Sequence, residues 1–147
     1  MDDLEAIKQL KARYSRTCDY KDWDGFRDVF AEDAVWDTTS AGAVVVTGNA
    51  AIAEFNKGTL GDVLCIHHQH TPEIDITSPT TATGIWPTEY MHRWPNGKEL
   101  HGFGFYHETY EKIDGEWKIK TCRYDQLRVD WSDPRTIMVR DTTTMMP

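Results

Sequence analysis

The chain has 147 residues, 39% apolar and 27% charged, the size of one ordinary domain with enough apolar side chain to hold a core. A net charge of −8 without any block of Lys or Arg argues against nucleic acid and anionic membranes as partners. No stretch approaches the roughly 20 apolar residues of a membrane span, and the first residues lack a signal-peptide core. Three widely spaced cysteines, Cys18, Cys65 and Cys122, make neither a CxxC pair nor a disulfide frame, so a reducing cytoplasm is expected.

Helical signals fill the first third of the chain and strand signals the rest, which predicts an α+β fold with helices on one face of a largely antiparallel sheet. Leu4, Ile7, Leu10, Tyr14 and Cys18 recur at helical spacing, predicting a first amphipathic helix over Asp3–Asp19 capped by Asp2 or Asp3. A second helix is expected from Asp22 as N-cap, with Trp23, Phe26 and Phe30 turned inward, and the two helices form a hairpin. Ala34 to Thr38 reads as a short strand and Ala43 to Val46 as an extended piece. Asn49 is expected to cap a short helix through Ala50, Ile52 and Phe55, which Gly58 and Gly61 end.

Strands dominate from Leu64. Leu64 to Ser78 alternates at Ile74 and Ile76, and Pro72, which has no N–H for the ladder, predicts an edge, a bulge or a strand start. Thr80 to Trp94 ends at the turn Pro95-Asn-Gly97. His101 to Ile113 and Glu116 to Trp131 are joined by Asp114-Gly115, a hairpin signal. Helices followed by a long coiled sheet imply a cone whose concave face leaves a pocket. The whole of 1–147 is read as a single domain, with its core at about 3–131. The tail, 132–147, has little pattern and is expected to fray or to pack across a neighbouring subunit.

His67-His-Gln-His70 is the densest cluster of reactive side chains. On a strand His68 and His70 share one face and His67 takes the other. Two imidazoles at that spacing suit zinc, but a catalytic site needs a third protein ligand, and neither His101 nor His107 comes with a metal motif. The other reading is a single His paired with a carboxylate, which fixes its tautomer and stabilises the imidazolium. Asp19 is a candidate carboxylate, although at a helix C-terminus its charge opposes the macrodipole, and a solvated, fraying end is the plain alternative. Tyr14 lies in the apolar stripe of the first helix, either as a core aromatic or as a phenol reaching the pocket. Tyr90, Tyr106, Tyr110, Tyr124, Trp36, Trp86 and Trp94 pose the same choice. An aromatic-lined cavity suits a flat apolar ligand.

Three blocks carry a family resemblance. They are Asp3 to Tyr14 with Cys18-Asp19 and Lys21-Asp-Trp-Asp24; His67-His-Gln-His-Thr-Pro-Glu-Ile74 with Thr80-Thr-Ala-Thr-Gly-Ile-Trp86; and Phe105 to Trp117. Together they resemble the SnoaL-like branch of the nuclear transport factor 2-like superfamily, over most of residues 3–131. Within that branch the blocks resemble those of the bacterial bile-acid 7α-dehydratases and, more distantly, of scytalone dehydratases and hexachlorocyclohexane dehydrochlorinases. The resemblance implies the α+β cone and a His–Asp dyad at His67 and Asp19, with Tyr14 matching the family tyrosine on the first helix. It also places Tyr90, Trp86, Thr38, Tyr106, Gln126 and Arg128 around a substrate. Thr38 stands where the bile-acid enzymes have a further tyrosine, and Tyr90 where they have an acidic residue. Gln126 stands where they have an arginine, with Arg128 two residues on and expected on the same strand face. The base is kept while the substrate-reading residues differ.

The resemblance implies a lyase that needs no cofactor and no metal. It would eliminate water next to a carbonyl or enone of a small apolar ring substrate, in a homodimer or homotrimer. A polyketide cyclase or ketosteroid-type isomerase on the same scaffold, and a non-catalytic small-molecule-binding module, remain open beside it.

Overall fold

The computed structural model describes residues 1–135. Helix α1 spans Asp3–Asp19, and Asp2 caps it by accepting a hydrogen bond from the Glu5 N–H. Its inner face carries Ile7, Leu10, Lys11, Tyr14, Ser15 and Cys18, the i, i+3, i+4, i+7 pattern of a buried stripe. Leu4, expected on that stripe, is exposed. The helix ends in a Schellman turn. The Lys21 N–H bonds the Cys18 carbonyl, the Asp22 N–H bonds the Thr17 carbonyl, and Lys21 takes the left-handed conformation at φ 62°. That sharp turn lets Asp22 cap the next helix, α2 (Trp23–Asp28), by accepting from the Gly25 N–H.

Strand β1 runs over Phe30–Asp37, four residues earlier than the sequence pattern suggests. Phe30, expected on the inner face of α2, is the first residue of β1; it pairs in register with Ile119 and is buried there. After a short 3-10 turn, β2 (Val45–Thr47) pairs with β1. Helix α3 spans Asn49–Leu60. Gly48 occupies its N-cap and Asn49 is its first residue, while Gly58 stays inside the helix and Gly61 ends it.

The remaining strands are β3 (Leu64–Gln69), β4 (Glu73–Ser78), β5 (Thr81–Arg93), β6 (Glu99–Ile113) and β7 (Glu116–Ser132). The sheet order is β2-β1-β7-β6-β5-β3, with β4 also on β5; only the β1–β7 pair is parallel. β3 lies along the C-terminal half of β5 and β4 along its N-terminal half, and the break between them falls at Pro72. Thr77, Lys120 and Leu127 are extra residues in the antiparallel ladders. Each such bulge bends its strand and adds twist, which curves the sheet into an open, unclosed cone. The core fills the concave side beneath α1, α2 and α3, around Ile7, Leu10, Phe26, Ile52, Ile119 and Cys122. No helix among the described residues is long and apolar enough to cross a membrane. The tail expectation falls largely on 136–147, outside the described residues.

Candidate active site

A cavity of about 320 Å³ opens between the concave sheet face, α1 and α3. Tyr14 and Cys18 reach it from α1, Trp36 from β1, Phe55 and Asn56 from α3, and His67 from β3. Tyr90, His92, Tyr106 and Tyr124 face it from β5, β6 and β7, and Trp94 and Trp131 stack beside it with ring centroids 5.5 Å apart. A wider groove of about 700 Å³ runs along α1 near the β6–β7 turn. Charged side chains such as Arg13, Arg16, Asp28 and Lys112 line it, and it holds no comparable group of reactive side chains.

The strand register decides which groups face inward. His67 lies opposite Tyr90, and Cys65 opposite His92, so these four side chains share the inner face. Ile66 and His68 point outward; there His70 and His101 both approach the Glu89 carboxylate, at 3.0 and 3.4 Å. Asp19 sits in the last turn of α1, and two bonds hold its carboxylate there. One oxygen accepts from the His67 backbone N–H at 2.9 Å, and the other lies 2.6 Å from His67 Nδ1. These bonds offset the unfavourable helix dipole at that end. The His67 side chain is 7% exposed and that of Asp19 25%, so the pair is shielded but not sealed. The His67 ring stacks at 18° on the Tyr90 ring, with centroids 5.9 Å apart.

Beside the pair lies a chain of aromatic donors. Trp36 Nε1–H donates to the Tyr14 hydroxyl at 3.4 Å, and Tyr14 donates to Tyr106 at 3.2 Å. Burial pushes both phenols well above their ordinary range, so they stay protonated. Tyr90 donates to Gln126 Oε1 at 2.7 Å, and burial raises its phenol as well. Burial pushes His92 down to about 3, helped by the neighbouring His67 ring and the Lys21 ammonium. It is a neutral imidazole, and its buried Nε2 has no hydrogen-bond partner.

Among the described residues, one group of side chains brings potential metal ligands together. Cys18 Sγ, an Asp19 oxygen and a His67 nitrogen lie within 4.8 Å of one another. The chemistry fits a cation poorly. Burial pushes the Cys18 thiol up to about 12, which keeps it protonated, and both Asp19 oxygens already serve His67. Lys21 Nζ, 3.1 Å from Cys65 Sγ, adds positive charge nearby.

Of the positions expected from sequence, Tyr14, Thr38, His67, Tyr90 and Tyr106 line the cavity, and Asp19 backs His67. Gln126 does not line the cavity but accepts the Tyr90 hydroxyl's hydrogen bond from behind it. Trp86 does not reach the cavity; its indole N–H donates to Tyr110 deeper in the core, at 2.8 Å. Arg128 points into solvent and bonds Asp130. The cause is the bulge at Leu127. Gln126 pairs with Gly104 and Arg128 with Phe103, so the two do not share a face, and Val129 and Trp131 turn inward instead. The sequence reading missed His92 and Trp131. His92 was legible in principle, two residues after Tyr90 on one strand. It also missed Gly102 and Gly104, which lie flat beneath the Tyr90 and Tyr124 rings. A Cβ at Gly102 would fall 2.3 Å from the Tyr90 ring, and one at Gly104 2.7 Å from the Tyr124 hydroxyl.

A curved sheet closed over by helices, with an aromatic cavity and a shielded His–carboxylate contact, defines a small α+β protein with an internal cavity. The chain belongs to the SnoaL-like domain family, whose profile matches residues 1–123. The match reaches the family and not a bile-acid specificity. A Gibberella zeae relative named Probable cyclase FGR4 is 24% identical over 133 residues, covering 82% of this chain and 89% of its own. Among solved structures, a Novosphingobium aromaticivorans protein assigned as a scytalone dehydratase superposes with a TM-score of 0.79. It is 24% identical, over 93% of this chain and 89% of that one. The hexachlorocyclohexane dehydrochlorinase of Novosphingobium barchaimii, type 3, gives 0.78 at 16% identity, over 87% and 88%.

Proposed function

We propose that the chain is a cofactor-independent lyase that removes a proton beside a carbonyl or enone of an apolar ring compound and expels the neighbouring hydroxyl as water. One observation carries this reading: an imidazole braced by a carboxylate at 2.6 Å, at the wall of a largely aromatic cavity. Asp19 holds Nδ1, so Nε2 is the nitrogen left for a substrate. His67 takes the acidic proton, and Asp19 offsets the charge that forms on the ring. Substrate electrons pass into its own carbonyl, so no external electron sink is required. Tyr106, which ends the Trp36–Tyr14–Tyr106 chain as an acceptor, has its own O–H proton free to meet the developing enolate oxygen. The proton taken up by His67 passes to the departing hydroxyl, which leaves as water, and the neutral His92 ring lies in contact with His67 at 5.5 Å beside that step. An apolar wall that excludes water strengthens each of these interactions.

Relatives named as a dehydratase and a dehydrochlorinase support elimination, and the relative named as a cyclase supports a second reading on the same base. A cyclase or isomerase keeps its oxygen in the product. The test is a screen of hydroxy-ketones for ultraviolet-absorbing conjugated products, with product mass read in parallel. Loss of one water supports the lyase; an unchanged mass supports the second reading. Asp19→Asn is expected to lower kcat/KM by ~10²–10⁴-fold, since the amide cannot stabilise the imidazolium. Full activity in Asp19→Asn would refute the role given to the pair.

A further inference from the structure

The buried face of α3 carries Ile52, Ala53 and Asn56. Asn56 stands one turn after Ile52, within that stripe, where an aliphatic side chain would serve packing alone. It is 4% exposed, and asparagine is a poorer helix former than leucine or alanine. Its amide can face only one way. Nδ2 donates to the Ile52 carbonyl at 2.9 Å, and a carbonyl accepts only from the NH2 side, so Oδ1 is turned away from the helix backbone. Among the described residues no group donates to Oδ1, yet the atom is not sealed in; it keeps surface at the cavity that Asn56 lines. The nearby hydroxyls cannot serve it, because Thr38 and Thr59 already donate to the Val44 and Phe55 carbonyls. An acceptor held in an apolar wall without a donor is costly, and native proteins seldom keep one without a reason.

Position adds the kind of ligand. His67 enters from β3, whereas α3 packs on β1 and β2 at the other end of the sheet order. The base and this acceptor therefore stand on different walls of the cavity. The Trp36 and Phe55 rings, with centroids 5.7 Å apart, line the wall on the α3 side. An acceptor set in aromatic surface selects a ligand that brings its own donor on a flat apolar body. We propose that Asn56 Oδ1 is a specificity contact of this cavity, accepting a hydrogen bond from a ligand hydroxyl other than the group presented to His67. The ligand class is thus a ring compound with at least two oxygen functions, one of them a free hydroxyl that takes no part in the reaction. The proposal rests on the reading of this cavity as the substrate site, and not on the reaction being an elimination.

The test compares 1,5-, 2,6- and 2,7-dihydroxynaphthalene, each with its monomethyl ether, by isothermal titration calorimetry. Diol and ether keep the same ring and one hydroxyl; the ether lacks the second donor. The wild-type chain is expected to bind at least one diol about 3–10-fold more tightly than its ether, the worth of one buried hydrogen bond. Asn56→Ala, which cannot overpack, and Asn56→Leu, which keeps the stripe apolar, are each expected to bind that pair equally. Tyr106→Phe is the contrast. Its lost O–H is a donor, which serves a hydroxyl and an ether oxygen alike, so the diol preference persists. No diol preference in the wild-type chain, no binding of any probe, or a preference retained in an Asn56 variant would overturn the assignment. Asp19→Asn separates the two proposals: it lowers turnover and leaves the diol preference intact. A preference that depends on Asn56, found without any elimination, leaves this assignment standing and removes the lyase reading.

Discussion

Lys11 and Glu108 make the deepest ion pair among the described residues, with both side chains 0% exposed and Nζ 2.5 Å from Oε1. The carboxylate also accepts from the Tyr110 hydroxyl at 2.5 Å and from Cys122 Sγ at 3.4 Å. The ammonium lies 3.6 Å from the Tyr106 ring centroid and 4.0 Å from that of Tyr14. The pair thus supports, from below, the two phenols that end at the cavity. Replacing Glu108 by Met leaves a buried cation without its counter-charge. Breaking one partner of such a pair costs about 3–5 kcal/mol, because the remaining charge keeps its desolvation penalty. At roughly 2–4 °C per kcal/mol for a chain of this size, the melting temperature falls by about 6–20 °C. Lys11→Met alone is expected to cost a similar amount. The double variant Lys11→Met/Glu108→Met removes both charges, and it is expected to recover most of the loss, since apolar replacement of a buried pair is often neutral. Guanidinium unfolding of the four chains of this cycle measures the coupling. Single variants that each cost under about 1 kcal/mol, with additive effects in the double, would show that the pair is not a desolvated, mutually dependent unit.

Two further outcomes are expected. Gly102→Ala places a Cβ 2.3 Å from the Tyr90 ring, so the ring must leave its slot; a loss of about 1–3 kcal/mol and weakened binding of aromatic probes are expected by melting and fluorescence titration. His92 protonates near its ordinary 6.5 in the unfolded chain but only at about 3 in the folded one, so between these values the unfolded chain binds more protons. Its contribution is therefore complete above pH 6.5 and is lost as pH falls towards 3, by at most ~1.4 kcal/mol per pH unit. In His92→Gln, the fall of stability between pH 6 and 4 should be shallower, and equal slopes in the two chains would contradict the buried neutral imidazole.

Much of the frame was readable along the chain. The bounds of α1, the Asp114-Gly115 turn and the break at Pro72 rest on interactions within a few residues, namely helical period, turn chemistry and a missing N–H. The end of α1 was harder, because Lys21 adopts a left-handed conformation that its residue type does not advertise. The pairing of Asp19 with His67 came from family resemblance and not from spacing, since the partners are 48 residues apart. Arg128 shows the converse. Period-2 reasoning put it beside Gln126, and the extra residue at Leu127 turned it out to solvent.

The sequence by itself determined which segments become helix or strand and which faces are apolar, because those choices are made among neighbours in the chain. Only the tertiary structure decided that Lys11 meets Glu108 across 97 residues, that the buried Nε2 of His92 is left without a partner, and that Trp86 serves the core. Those outcomes depend on strand register and on where bulges fall, and a one-residue shift in register reverses the face of every side chain beyond it.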